Sequence, residues 1–165
     1  MSYDLHLLGV PPGEEASDVL GRHLDEQDEE LNPGPLVQAV EDEKQRLGKA
    51  LMKFNPALRI VALDYAGLAA MDQIDEAEAR RRYRHLELSA DDYTGIQITL
   101  WDSVGDVTFP YWHAGEQARR VLLQVWDYLI VLQCQGGFVT YDPQLDRVID
   151  LDADFDSVLA FCLDS

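Results

Sequence analysis

The chain has little positive charge. Its 165 residues include 13 Lys and Arg against 31 Asp and Glu, which gives a formal net charge of −18. Nucleic acids and anionic membranes carry the same sign, and proteins normally bind them through clustered Lys and Arg. The composition therefore argues against nucleic acid and membrane as direct ligands and favours a basic protein partner.

Long hydrophobic runs are also missing. Apolar runs such as residues 128–132 are far too short to cross a bilayer, and the first residues lack the cationic and apolar regions of a secretory signal. The two cysteines, Cys134 and Cys162, have apolar sequence neighbours, as is typical of thiols in a core. A disulfide between them stays open, and we expect a cytoplasmic protein.

Common catalytic motifs are absent as well. The sequence contains no GxSxG, Walker-type glycine loop, HExxH, CxxC or GxGxxG. Its four histidines show no recognisable spacing with a Cys or Ser that would suit nucleophilic catalysis. We expect no enzymatic activity, no cofactor and no metal, with a hydrolase that uses carboxylates and His113 as the alternative.

The sequence nevertheless predicts a well-packed fold, because 47% of the residues are hydrophobic and no linker or repeat divides the chain. Apolar residues at helical spacing predict helices over 14–31, 35–54, 65–83 with a break near Asp72, 114–135 and 155–163. Alternating or β-branched runs predict strands over 3–10, 58–63, 84–88, 96–101, 106–110, 138–141 and 147–151.

These elements predict a single α+β domain over residues 1–165, with a mostly antiparallel sheet packed against helices on one face. The three strands between residues 84 and 110 are expected to form a meander with turns at 90–95 and 102–105. The uninterrupted apolar run at 58–63 is typical of a buried central strand.

One acidic cluster lies near the end of the first predicted helix. It consists of Asp25, Glu26, Asp28, Glu29 and Glu30. Such a density of one charge can steer a basic partner towards a docking face. The alternative is a solvated helix face that keeps the protein soluble.

A second acidic cluster contains Asp150, Asp152 and Asp154. The alternation resembles the start of an EF-hand loop, but Phe155 stands where the sharp turn needs Gly and Phe161 where a bidentate Glu is required. We therefore expect these carboxylates to face water, contact the partner or cap the last helix, and we expect no metal.

Two further clusters allow a structural and a functional interpretation. The basic run at residues 80–84 follows Glu76 and Glu78, which favours ion pairs at a helix end over an anion site. Tyr111, Trp112 and His113 form an aromatic cluster between a strand and the main helix. Such residues either anchor an interface or fill the core.

Several segments carry a resemblance to known proteins. The opening Met-Ser-Tyr-Asp-Leu, residues 107–116 and residues 136–144 resemble small acidic bacterial proteins similar to immunity proteins of polymorphic-toxin and type VI secretion systems. The resemblance implies a cytoplasmic protein that binds and blocks a cognate toxin domain with a basic active-site cleft. An adaptor or a DNA mimic is the remaining alternative.

Overall fold

The computed structural model describes residues 1–25 and 34–164. Seven strands in these residues form one antiparallel sheet: β1 (Ser2–Gly9), β2 (Arg59–Ile60), β3 (Leu86–Ser89), β4 (Gln97–Leu100), β5 (Val104–Pro110), β6 (Phe138–Asp142) and β7 (Arg147–Ile149). Their order is β2-β3-β4-β5-β1-β6-β7, so that the N-terminal strand occupies the interior of the sheet. The predicted α+β fold and the β3-β4-β5 meander are confirmed.

Six helices occur in the described residues: α1 (Ala16–Asp25), α2 (Gln38–Phe54), α3 (Tyr65–Asp72), α4 (Glu76–Arg82), α5 (Gly115–Gly136) and α6 (Phe155–Asp164). The break predicted near Asp72 is confirmed, because α3 ends there and Gln73 adopts a left-handed conformation. Helix α5 ends at Gly136 and is capped by Gly137, whose φ of +68° suits a residue without a Cβ. Part of the first predicted helix, residues 26–31, lies outside the described residues.

The main core lies between one face of the sheet and helices α2, α5 and α6. It combines Leu5 and Leu7 of β1 with the apolar stripe of α5, which includes Val121, Leu122 and Leu129. Helix α1 packs on the opposite face, where Val19 joins Leu8 and Tyr141 in a smaller cluster. Successive residues of β1 therefore serve two cores, as the alternation of side chains along a strand requires.

A buried hydrogen bond connects the first strand to the end of β6. The Tyr3 hydroxyl donates to Asp142 Oδ2 at 2.5 Å, and both residues are fully buried. Asp142 Oδ1 accepts from the backbone N–H groups of Gln144 and Leu145 at 2.8 and 3.1 Å. Burial and the neighbouring Asp142 raise the pKa of Tyr3, so this phenol remains a donor at any physiological pH.

The prediction of a buried central strand at 58–63 is wrong. Only Arg59 and Ile60 form the short strand β2, which lies at the edge of the sheet. Ile60 and Val61 keep 43% and 37% of their surface exposed. A continuous apolar run predicts an extended conformation, but the run itself does not determine which neighbour covers it.

The ends of two strands and the burial of one cysteine also differ from the prediction. Strand β7 stops at Ile149 rather than 151, and β5 begins at Val104, inside the predicted turn. Cys134 is exposed rather than buried, because it follows the inward-facing Leu132 by two residues, about 200° around the helix. Cys162 is partly buried against the core, and both thiols are free.

Candidate partner-binding surface

Two aromatic side chains project into solvent at the end of the sheet where β1 begins. Trp112 follows β5 and is 74% exposed, and Tyr93 lies in the β3–β4 connection and is 63% exposed. Their rings flank that of His113, with centroid separations of 5.9 Å from Trp112 and 6.5 Å from Tyr93. We call Tyr93, Trp112 and His113 the aromatic patch.

His113 is the buried residue of this patch, with only 7% of its surface exposed. Its Nε2 lies 2.8 Å from the Thr94 carbonyl oxygen, and because a carbonyl only accepts, Nε2 is the donor. The Gln117 side-chain amide lies 3.1 Å from Nδ1, one turn further along α5. The ring thus connects the start of α5 to the β3–β4 connection and fixes the two flanking aromatic residues relative to each other.

The β3–β4 connection is itself tightly constrained. Asp92 Oδ1 accepts from the Thr94 backbone N–H at 3.0 Å and from the Thr94 hydroxyl. Gly95 has a φ of +66°, and a Cβ there would lie 2.8 Å from Pro110 Cγ and 3.6 Å from the Trp112 ring. The aromatic patch therefore stands on a preformed support in which Gly95 has no simple replacement.

Three exposed carboxylates lie close in sequence to the residues of the aromatic patch. Asp91 and Asp92 immediately precede Tyr93 and are exposed, and Glu116 in the first turn of α5 keeps 66% of its side chain exposed. Arg120 lies 3.9 Å from Glu116 and is itself 71% exposed. An exposed tryptophan and tyrosine beside solvated carboxylates provide both surfaces that a Lys or Arg side chain can use, ring faces and anions.

Tyr111, the third predicted aromatic anchor, lies elsewhere. It is half-buried, and its ring packs 5.7 Å from that of Tyr3 in the core. Burial raises the pKa of its phenol. The main-chain turn after β5 therefore sends Tyr111 inward and Trp112 outward.

Tyr93 was absent from the predicted surface. Its position inside the turn-rich sequence Ser89-Ala-Asp-Asp-Tyr-Thr-Gly95 could have indicated an exposed aromatic residue.

The acidic loop at residues 150–154 is internally bonded. Asp154 accepts from the Asp150 backbone N–H at 2.8 Å and from Arg147 at 3.1 Å. Asp150 in turn accepts from the Asp152 backbone N–H at 2.9 Å, and the Asp152 side chain is left exposed. Two of the three carboxylates thus build the turn that leads into α6.

The structure separates this loop from the aromatic patch. The loop follows Ile149, which pairs with Thr140, whereas Trp112 follows Pro110, which pairs with Ser2 at the other end of β1. Thr140 pairs with Leu7, so the separation along the strands corresponds to five residue steps of β1, about 17 Å. Of the first acidic cluster, Asp25 is exposed at the end of α1, and Glu26, Asp28, Glu29 and Glu30 lie outside the described residues.

The basic run is paired with carboxylates, as the sequence predicted. Arg80 and Arg81 each lie 2.8 Å from a glutamate of the same helix, Glu76 and Glu78 respectively. Arg84 is buried and pairs with Asp102 in the β4–β5 turn. These contacts make the run a structural element of the fold rather than an open site for phosphate.

A cleft of about 360 Å³ lies at the opposite end of β1 from the aromatic patch. Its walls are mainly apolar, including Val10, Leu47, Trp101 and Phe138, and Lys44 and Asp102 stand at its polar side. Lys44 Nζ donates to Asp102 and to the Arg84 carbonyl, both at 2.9 Å, and lies 2.6 Å from Glu41. These three acceptors engage the donors of the Lys44 side chain in a structural contact between α2 and the β4–β5 turn.

The histidines give no clearer support for catalysis. Both ring nitrogens of His113 are engaged in hydrogen bonds, as described above. His6 Nδ1 lies 3.5 Å from Asp106 on the opposite face of the sheet, and its ring is 5.3 Å from that of His23. Within residues 1–25 and 34–164, no group of three or more His, Cys, Asp or Glu side chains is arranged to hold a metal ion.

Among the described residues, none of the helices combines the length and the apolarity needed to span a bilayer. No protein-family model matches the chain, and searches of curated proteins and of solved structures also find no match.

Proposed function

We propose that this protein is an acidic binding protein that neutralises a basic partner, most specifically an immunity protein that occludes the active-site cleft of a cognate toxin domain. The observation that carries the proposal is Trp112. A tryptophan that is 74% exposed, beside a tyrosine that is 63% exposed, offers a partner a large apolar contact surface of the kind that anchors protein interfaces.

The aromatic patch supplies the binding energy in this proposal. Tryptophan and tyrosine dominate interface hot spots, where truncation to alanine typically costs about 2 kcal/mol or more. Because the hydrogen bond from His113 to the Thr94 carbonyl already joins the two backbone segments that carry Trp112 and Tyr93, little backbone entropy is lost when a partner docks. Cationic side chains of the partner would lie over the ring faces and against Asp91, Asp92 and Glu116.

In this proposal the net charge raises the rate of association with a basic partner and discriminates against nucleic acid. A charge of −18 attracts a basic surface over a distance set by the ionic strength, with a Debye length of about 8 Å in physiological salt. It also repels nucleic acid, the substrate of many toxins with basic clefts. The resemblance of the sequence to immunity proteins supports a toxin as the partner class.

The first experiment identifies the partner and tests the charge argument. The tagged protein is used to recover bound proteins from the organism that encodes it, and the partner is then produced in pure form. We expect a protein with a basic surface whose expression alone arrests growth and whose effect is reversed by co-expression of this chain. A neutral or acidic partner, or one whose activity continues in the complex, contradicts the proposal.

The second experiment tests the surface. Trp112→Ala and Tyr93→Ala are compared by titration calorimetry with Phe54→Ala, a matched control because Phe54 is 50% exposed on α2. We expect the first two variants to raise Kd at least about 30-fold, equivalent to about 2 kcal/mol, and the control to leave Kd unchanged. Unchanged binding by both patch variants, with normal circular dichroism, would exclude this surface.

A further inference from the structure

The apolar cleft between α2, the β4–β5 turn and the start of β6 takes no part in the proposed function. Its volume of about 360 Å³ lies near the lower end of the range of about 300–1,000 Å³ that is typical of small-molecule sites. Most of its wall is apolar, and two ring side chains contribute to it, Trp101 after β4 and Phe138 at the start of β6. The cleft therefore has the size and the lining of a pocket for a compact ligand.

Hydrogen bonds between the walls hold the cleft open. Lys44 of α2 donates to Asp102 in the β4–β5 turn at 2.9 Å. The Gly9 N–H at the end of β1 donates to the Ser103 carbonyl, also at 2.9 Å. Arg46 joins α2 to the last turn of α5 by donating to a backbone carbonyl at 2.5 Å. These contacts connect the walls to one another without filling the space between them, so the cleft is preformed.

The charged side chains that line the cleft are already paired. Among the described residues they are Glu43, Lys44 and Asp102. Both oxygens of Glu43 accept from Arg46, at 2.6 and 2.8 Å. One Asp102 oxygen accepts from Lys44, and the other accepts from Arg84. An ionic ligand would therefore enter an apolar space whose described charges already compensate one another, and its own desolvation would be left uncompensated.

We propose that the cleft binds a neutral aromatic molecule of one or two rings. The rings of Trp101 and Phe138 favour an aromatic ligand, because aromatic pairs gain stability beyond the apolar area that they bury. The net charge of −18 opposes the approach of an anion even before it reaches the cleft. Because the cleft and the aromatic patch lie at opposite ends of β1, the proposal does not depend on the partner protein.

Binding of 2-acetylnaphthalene to the full chain tests this inference. The probe is neutral and has two rings, and 2-naphthoate has nearly the same shape with a negatively charged oxygen in place of the methyl group. We expect saturable binding of one molecule of 2-acetylnaphthalene with a Kd of about 100 µM or lower, measured by NMR titration of the backbone amide signals. The Kd of 2-naphthoate should be at least about 10-fold higher, because its carboxylate meets no uncompensated cation in the cleft.

Ala39→Phe places a ring in the wall of the cleft, at an exposed position on α2. It should raise the Kd of 2-acetylnaphthalene at least about 10-fold and leave the circular dichroism unchanged. Ala70→Phe is the matched control, because it makes the same substitution at an exposed position on α3, and it should bind like the wild type.

Three results would overturn the inference: no saturable binding by the wild type, equal Kd values for the two probes, or the same affinity in Ala39→Phe and Ala70→Phe. The comparison of the two probes uses the wild type alone, so it decides the question even if Ala39→Phe does not fold. None of these results bears on the aromatic patch, and the proposed function would stand.

Discussion

Replacement of Asp102 by Asn is the sharpest test of what holds the β4–β5 turn against α2. The Asp102 carboxylate accepts from Lys44 at 2.9 Å and from Arg84 through both Nε and Nη2. The side chains of Lys44 and Arg84 are only 4% and 3% exposed, whereas that of Asp102 is 26% exposed. The substitution keeps the shape of the side chain and removes the principal anion from two buried cations.

The expected cost follows from this burial. Removing one partner from a fully buried ion pair typically costs about 3–5 kcal/mol, because the other charge is left without compensation. The partial exposure of Asp102 and the remaining anion Glu41, 2.6 Å from Lys44, reduce this figure. We expect Asp102→Asn to lower the free energy of unfolding by about 2–3 kcal/mol at pH 7, measured by urea denaturation.

The pH dependence provides a second, independent measurement. Burial alone would raise the pKa of Asp102, but the hydrogen bonds from Arg84 and Lys44 outweigh it and hold the pKa below its usual value. A carboxyl with a lowered folded-state pKa stabilises the protein above its unfolded pKa, and the contribution is lost as the pH falls through the folded value. The difference between wild type and variant should therefore be constant from pH 5 to pH 8 and shrink below about pH 4.

Asp127→Asn is the control, since Asp127 is exposed on α5 and the substitution makes the same change in net charge. It should change the free energy of unfolding by less than about 0.5 kcal/mol. If Asp102→Asn is equally mild, or if its effect persists unchanged below pH 4, the buried cations do not depend on this carboxylate and the reasoning fails.

Three further predictions concern Tyr3, His85 and Gly95. Tyr3→Phe removes a donor to the buried Asp142 and should cost about 1–3 kcal/mol in urea unfolding, and a neutral result would show that water replaces the hydroxyl. Burial, with a smaller effect of Lys44, lowers the pKa of His85, so stability should fall as the pH drops below about 6.5; in His85→Phe this loss should diminish, and an identical slope would refute it. Gly95→Ala places a Cβ 2.8 Å from Pro110 Cγ at a φ of +66°, so it should lower the melting temperature and, by shifting the connection that carries Tyr93, raise the Kd for the partner; thermal unfolding and calorimetric titration can check both, and unchanged values would refute it.

The elements predicted correctly are those in which the spacing of apolar residues within the element itself indicates which face is buried. Helix α5 has an apolar residue every three or four positions, and the meander alternates on one face, so each pattern has a single structural solution. The run at 58–63 failed because its burial depends on a neighbouring strand, which the local sequence does not specify.

In the candidate site, too, some residues could be identified from the local sequence and others only from tertiary contacts. Trp112 was identified from its aromatic neighbours. The local sequence does not specify, however, that the chain after β5 directs Tyr111 towards the core and Trp112 towards solvent. Tyr93 joins the patch only because the Thr94 carbonyl accepts a hydrogen bond from His113, a contact between residues 19 positions apart. Asp150 and Asp154 were predicted to face water, contact the partner or cap the last helix, and their role in building a turn depends on backbone partners that the sequence does not specify.

The interior position of β1 has a consequence for the order in which the chain can fold. Ser2 pairs with Pro110 and Gly9 with Phe138, so both neighbours of the first strand emerge from the ribosome long after it. Until they arrive, its alternating leucines have no complete surface to cover, and such distant pairings slow folding to about milliseconds to seconds. Nascent chains shorter than about 140 residues should consequently need protection by chaperones, and truncation before β6 should yield an insoluble product rather than a smaller stable domain.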